Sequence, residues 1–358
     1  MPTPEPPLEL LVDTLTWLVD TPSETGQEGR ICTQVAARLL TRFGEPNTRR
    51  VQNSLVVGRV TGRPMVLLVG HLDTVPSQGQ GPARVADGRL HGLGSTDMKG
   101  GLAVMIHLLE DPVVATGPYD VIGIFYEGEE GPADGNGLEP VLVREPWLVD
   151  ASFAVVLEPS DGEIQMGCNG AINARVVFEG KSAHSARPWF GENAITKAGE
   201  WLAELHRREP QVYSIEGLEF REVMSVTRAT GGIANNVIPG SFELNLNYRF
   251  NPERTREEAE RHLRDVCAAA DWVEVVDFAP AGPVASDHPF LSALIDASGA
   301  RRTAKQAWTD VARLSARGIP AVNYGPGETA LAHRIDESVE LDDLMSVFRA
   351  LRSVLTAQ

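Results

Sequence analysis

A histidine and an aspartate stand two residues apart where an apolar run stops, in "VLLVGHLDTVP" at 66–76. The same punctuation recurs down the chain. Asp97 sits in the glycine-flanked loop "GLGSTDMKGG", Glu129 and Glu130 follow "YDVIGIFY" in "EGEEG", Glu158 ends "FAVVLE", and His333 follows "IPAVNYG" after a turn. Each alone has a plain structural reading: a polar strand end, a solvated acidic loop, a turn before proline. Together they place imidazoles and carboxylates just past successive apolar runs, where ligands of open α/β sheets bind. Such a gathering repels itself unless cations sit within it. Three carboxylates and one hydroxide carry four negative charges, which two divalent ions balance. Two imidazoles with three carboxylates suit a borderline metal such as zinc better than calcium or magnesium, which prefer all-oxygen shells. A carboxylate left over beside the metals can serve as general base toward water.

The elements that must position these groups follow from hydrophobic periodicity. The runs 65–70, 119–126, 153–158 and 319–325 are continuous apolar strands, while 8–43, 99–110 and 193–208 read as helices. That alternation predicts an α/β fold with its sheet covered on both faces. The middle of the chain differs. "AINARVVFEG" (171–180), "SFELNLNYRF" (241–250) and "WVEVVDF" (272–278) alternate apolar and polar residues, and a charged helix spans 252–270. Half-exposed strands with helices on one side predict a smaller α+β domain inserted over 171–281. Residues 1–170 and 282–358 then form one discontinuous domain with a mixed sheet, which carries the metal-ligating groups.

At 358 residues, two domains are the natural division. Lys and Arg number 32 against 49 Asp and Glu, a net charge of −17, which argues against nucleic acid as a partner. The N-terminus is acidic and proline-rich and lacks the features of a secretion signal. No apolar run approaches the roughly 20 residues that cross a bilayer. Cys32, Cys168 and Cys267 are odd in number and far apart, without disulfide or zinc-ribbon spacing. A reducing cytoplasm is the simplest compartment for them.

Taken in order, "GHLDTVP", "GLGSTDMKGG", "EGEEG", "LEPSD", "KSAHSARP", "ANNVIPG" and "ALAH" make the chain similar to the M20 family of dinuclear zinc amidohydrolases, over essentially its whole length. The resemblance implies two zinc ions per subunit, with cobalt able to substitute. Asp97 would bridge them, His71 and Glu158 completing one site and Glu130 and His333 the other. Glu129 would be the general base, and Asp73 would orient His71 through its second ring nitrogen. A cis peptide after the bridging aspartate is also implied, at Asp97–Met98.

In the inserted domain the resemblance implies that His184 of "KSAHSARP" reaches the active site of a second subunit and steadies the oxyanion, so the enzyme would be a homodimer built through this domain. Asn235 and Asn236 would meet the acyl carboxylate of the substrate, and Arg249 would bind substrate as well. Read on its residues alone, each is an ordinary turn asparagine, capping histidine or strand arginine. The chain also departs from the proteobacterial pattern: Arg187 replaces a tyrosine, and Cys168 and Asn169 replace a pair of arginines before the lid. Moving the positive charge to Arg187 would let a guanidinium fork hold a polycarboxylate substrate.

Within the family, "WTDVARLSARGIPAVNYGPG" (308–327) and "MGCNG" are most similar to actinobacterial enzymes that hydrolyse N-succinyl-L,L-2,6-diaminopimelate in diaminopimelate and lysine biosynthesis. Other amide substrates on the same machinery, such as N-acetylornithine, an N-acyl amino acid or a dipeptide, are the alternatives. A metal-binding relative without turnover is the alternative of another class. Cys168 reads as an inert buried thiol, and His91, His107, His206, His262 and His288 receive no functional role.

Overall fold

The computed structural model describes residues 6–357, so the first five residues of the acidic, proline-rich start lie outside it. The described residues divide into two compact units: 6–166, 285–303 and 313–357 in one, 167–284 and 304–312 in the other.

The first unit is built on a large mixed sheet. Its centre is four parallel strands in the order Asp120–Tyr126, Met65–His71, Phe153–Pro159 and Ala321–Gly325. The first three of these, along with the short Ser54–Val57 strand at their flank, are buried along their whole length. Burial on both faces explains why they read as unbroken apolar runs. The helix Gly100–Glu110 is buried on nearly every side, packed between the sheet and the helices Leu8–Val19 and Leu341–Thr356. A Cβ at Gly101 would stand 2.3 Å from the Leu157 carbonyl oxygen, so only glycine lets this helix approach the strand so closely. The stretch read as one helix over 8–43 is two, Leu8–Val19 and Gly29–Phe43. Pro22 and Gly26, which adopts φ +85°, fall in the break between them.

The second unit is a five-stranded antiparallel sheet in the order Gln211–Ile215, Leu218–Gly231, Ser241–Phe250, Gly170–Glu179 and Trp272–Ala279. In Ser241–Phe250 every second residue, from Phe242 to Phe250, is buried. Those residues meet the apolar sides of the helices Gly199–Arg207 and Arg256–Val266 around Trp201, Ala259 and Leu263. The period of two sends Arg249 to the opposite face. Thr255 and Glu258 cap the second helix reciprocally, each side chain binding the other's backbone N–H. Beneath it Glu222 is buried and accepts from Arg254 at 2.6 Å, Tyr248 at 3.0 Å and Asn251 at 2.6 Å. Burial raises the Glu222 carboxyl, but these donors outweigh it and hold it below its usual range.

Candidate metal centre and active site

His71 is the last residue of its strand and is almost fully buried. Its Nε2 lies 3.1 Å from Asp97 Oδ1 and 3.7 Å from Glu158 Oε1 at the end of the adjacent strand. The other oxygen of Asp97 lies 3.2 Å from His333 Nε2, which is also 2.8 Å from Glu130 Oε1. One carboxylate thus stands between two imidazoles, each with its own second acid. His71, Asp97 and Glu158 form one cluster and Asp97, Glu130 and His333 another, with ligand-type atoms all within 4.8 Å of one another in each. Glu129 and Glu130 also cluster with His71.

The local backbone is unusual in the two segments that deliver Asp97 and His333. Gly94 takes φ +77° at the turn into the Asp97 loop, and the Asp97–Met98 peptide is cis. His333 itself has φ +63°, a left-handed conformation that few non-glycine residues adopt. Such a residue points where a regular turn would not send it.

Electrostatics give the cluster its character. Burial works against charge on His71, yet hydrogen bonds to Asp73 and Asp97 overcome it and raise the imidazole well above its ordinary pKa. His333 is pushed up to about 10, by Asp97 first and Glu130 second. Burial raises the Asp97 carboxyl, but the two imidazoles more than offset it and hold it well below the usual carboxylate range. In the protein alone, protons on the two imidazoles supply the positive charge that the acids demand. Two nitrogen donors and several carboxylate oxygens, converging in an acid-rich and partly buried space, fit divalent metal in the same role.

Asp73 does more than face His71. The His71 Nδ1 is nearer the Asp73 backbone carbonyl, at 3.0 Å, than its carboxylate, at 3.5 Å. The carboxylate also accepts the backbone N–H groups of Glu129 and Glu130, each at 3.0 Å, and the Thr25 hydroxyl at 3.0 Å. It therefore fixes the turn that presents both glutamates. Glu337, absent from the sequence-based expectations, accepts three backbone N–H groups of the Asp97 loop. Burial lifts its carboxyl to about 7. Lys99 is buried beside the same loop, donates to the Thr21 carbonyl at 3.0 Å, and is lowered to about 8 by burial.

The remaining expected residues lie on the second unit. His184 is exposed, its Nδ1 accepts from the Ala186 N–H at 3.1 Å, and its segment pairs with Val237. The Ser185 N–H donates to the Asn236 carbonyl at 3.0 Å, so the His184 and Asn235–Asn236 loops lie side by side. Both asparagines and Arg187 are exposed. Arg249 is half-buried and donates to Asn247 Oδ1 at 3.0 Å. Cys168 is fully buried, raised by burial, and its thiol donates to the Thr309 carbonyl at 3.6 Å. Its chemistry is that of a packed, protonated thiol.

The family model described as peptidase family M20/M25/M40 matches residues 67–357, and the chain belongs to that family. It is a metal-dependent amidohydrolase. A Corynebacterium glutamicum protein named succinyl-diaminopimelate desuccinylase is 36% identical over 363 residues, covering 98% of each chain. A Mycobacterium tuberculosis protein, whose name carries that activity as a candidate, is 39% identical over 94% of this chain and 96% of its own. Among solved structures, a Staphylococcus aureus tripeptidase superposes with a TM-score of 0.80 at 21% identity, covering 98% of both chains. A Bacillus subtilis protein described as a dinuclear metal binding peptidase of the M20 family gives 0.70 at 19% identity, over 98% of this chain and 97% of that one. These structural likenesses concern the fold. Among the described residues no helix is long and apolar enough to cross a membrane.

Proposed function

We propose that this chain hydrolyses N-succinyl-L,L-2,6-diaminopimelate to succinate and L,L-diaminopimelate, as a cytoplasmic, zinc-dependent homodimer serving diaminopimelate and lysine biosynthesis. The observation that carries this reading is the pair of donor clusters sharing Asp97 with Glu129 beside them. The chain that holds them is 36–39% identical, nearly end to end, to relatives named for that reaction.

His71, Asp97 and Glu158 would hold one zinc ion, and Asp97, Glu130 and His333 the other. When bound, the two ions supply Lewis acidity toward water and the amide carbonyl. Glu129 takes a proton from the attacking water and returns it to the departing amine, acting first as base and then as acid. Asp73 keeps Glu129 and Glu130 aimed by gripping their backbone N–H groups. The second unit supplies the substrate contacts. His184, reaching across from a second subunit, donates to the oxyanion as the carbonyl carbon becomes tetrahedral. Asn235, Asn236, Arg249 and Arg187 hold carboxylates of the substrate, and the guanidinium groups offset the acidic background of the chain.

The test is turnover of succinyl-diaminopimelate against N-acetylornithine by the zinc-loaded protein. A kcat/KM at least about 100-fold higher for the succinyl compound is expected, because a site built to pair extra carboxylates leaves its cations unpaired with an acetyl substrate. Equal or reversed preference would remove the succinyl assignment, and metal binding without any turnover would remove the catalytic one.

A further inference from the structure

Glu337 is buried, takes no part in the chemistry above, and yet is committed wholly to the Asp97 loop. Its carboxylate accepts the N–H groups of Gly94 at 2.9 Å, Thr96 at 3.0 Å and Asp97 at 3.1 Å. Its backbone carbonyl accepts the Gly92 N–H at 3.1 Å. The strand that follows, Ser338–Glu340, pairs antiparallel with Arg89–His91 just before that loop. Only three residues lie between Glu337 and His333, whose Nε2 faces the second oxygen of Asp97. Gly327, on the approach to His333, sits so near Thr96 that a Cβ there would collide with its hydroxyl. The segments bearing the bridging aspartate and the last imidazole are therefore fastened together by one side chain.

The choice of residue is chemically narrow. Three N–H groups converging on one buried point need a group with several acceptor lone pairs and no N–H of its own, which is a carboxylate. Glutamine would offer one oxygen and turn an NH2 toward a donor. A carboxylate placed beside Asp97 also works against that second acid electrostatically, so packing alone does not account for it.

We propose that Glu337 is a positioning residue for the metal pair: it sets the Asp97 carboxylate where it meets His71 and His333 at once, and so controls how tightly metal is held. This rests on the metal reading of the two clusters. Zinc is titrated into the metal-free wild-type protein, Glu337→Gln and Glu340→Gln. The last removes the same charge from the same segment, but its carboxylate binds Arg89 rather than the loop. Wild type should take up two ions, Glu337→Gln should bind at least one of them about 10–100-fold more weakly, and Glu340→Gln should stay within about twofold. Amide exchange at Gly94, Thr96 and Asp97 should quicken in metal-free Glu337→Gln and not in Glu340→Gln.

Equal affinities in Glu337→Gln and wild type would overturn the positioning role while leaving the metal centre intact. A wild-type protein that takes up no zinc would instead sink the metal reading, and this role with it. Should Glu337→Gln fail to fold, metal-free wild type decides: protected amides at 94, 96 and 97 uphold the clamp, and freely exchanging ones dismiss it.

Discussion

His71 and Asp73 are buried, and their polar atoms are spoken for by carboxylates, a carbonyl, a hydroxyl and backbone N–H groups. On the second unit, His184, Asn235, Asn236 and Arg187 stand exposed on loops whose hydrogen bonds are mostly main-chain to main-chain. On the roles proposed above, the contrast separates two tasks. Groups that hold a cation have to be in place before it arrives, which needs strand ends and buried braces. Groups that meet a substrate have to be reachable by it, and loops serve that purpose.

The sharpest way to break this contrast is at Glu129. Glu129→Gln should lower kcat about 10²–10⁴-fold with metal content unchanged, measured by steady-state kinetics beside metal analysis. A variant that also loses metal would make Glu129 a ligand rather than a base. The next effect belongs to the other unit. His184→Ala should cost about 10²–10³ in kcat with KM little altered, because an oxyanion donor acts only in the transition state. If KM rises while kcat holds, His184 binds substrate and the division of tasks shifts.

Protons test the cluster around Asp97 directly. His71 and His333 carry raised pKa values, His333 to about 10, so both are protonated near neutrality in the metal-free protein. Each ion has to displace the proton of its own imidazole, so the apparent affinity of each cluster should rise by up to about tenfold per pH unit between pH 6 and 8. Calorimetry in buffers of different ionisation enthalpy would count the protons released, and none released would refute the protonated cluster. For the metal-free fold the sign is the reverse. The contribution of His333 is complete below the ordinary histidine pKa and is lost as pH rises through about 10. The smallest expected effect is that of Arg187→Ala, a rise in KM of about tenfold with kcat nearly constant. Unchanged kinetics would mean that the charge has not moved to this position.

Much of this was legible in the sequence because chemistry and periodicity coincide there. His71, Glu129, Glu130 and Glu158 directly follow or close runs that have to be buried strands, so their convergence at one end of the sheet follows from parallel order. The parallel order itself is consistent with helices between the runs. What escaped was carried by the backbone. Asp73 was expected to orient His71, which its carboxylate faces at 3.5 Å; that the same carboxylate also takes two N–H groups 56 and 57 residues away was not expected, because a main-chain donor leaves no mark on residue type. Glu337 escaped for the same reason. The long strand Leu218–Gly231 was not anticipated because its second half is exposed and carries no apolar alternation. The break after Leu8–Val19 was readable, since "DTPSETGQEG" holds both a proline and two glycines, but the leucine stripe outweighed it.

The order of the groups along the chain has a consequence for biogenesis. Of the six acids and imidazoles in these clusters, Asp97 included, five lie before residue 159, while His333 comes more than 170 residues later, after the whole of the second unit's sheet. A chain emerging from the ribosome holds a half-built cage throughout that interval, since domains consolidate from the N-terminus as synthesis proceeds. The cluster of His71, Asp97 and Glu158 is complete by residue 158, whereas that of Asp97, Glu130 and His333 closes only when the last segment joins, so a cation held there would be the final component.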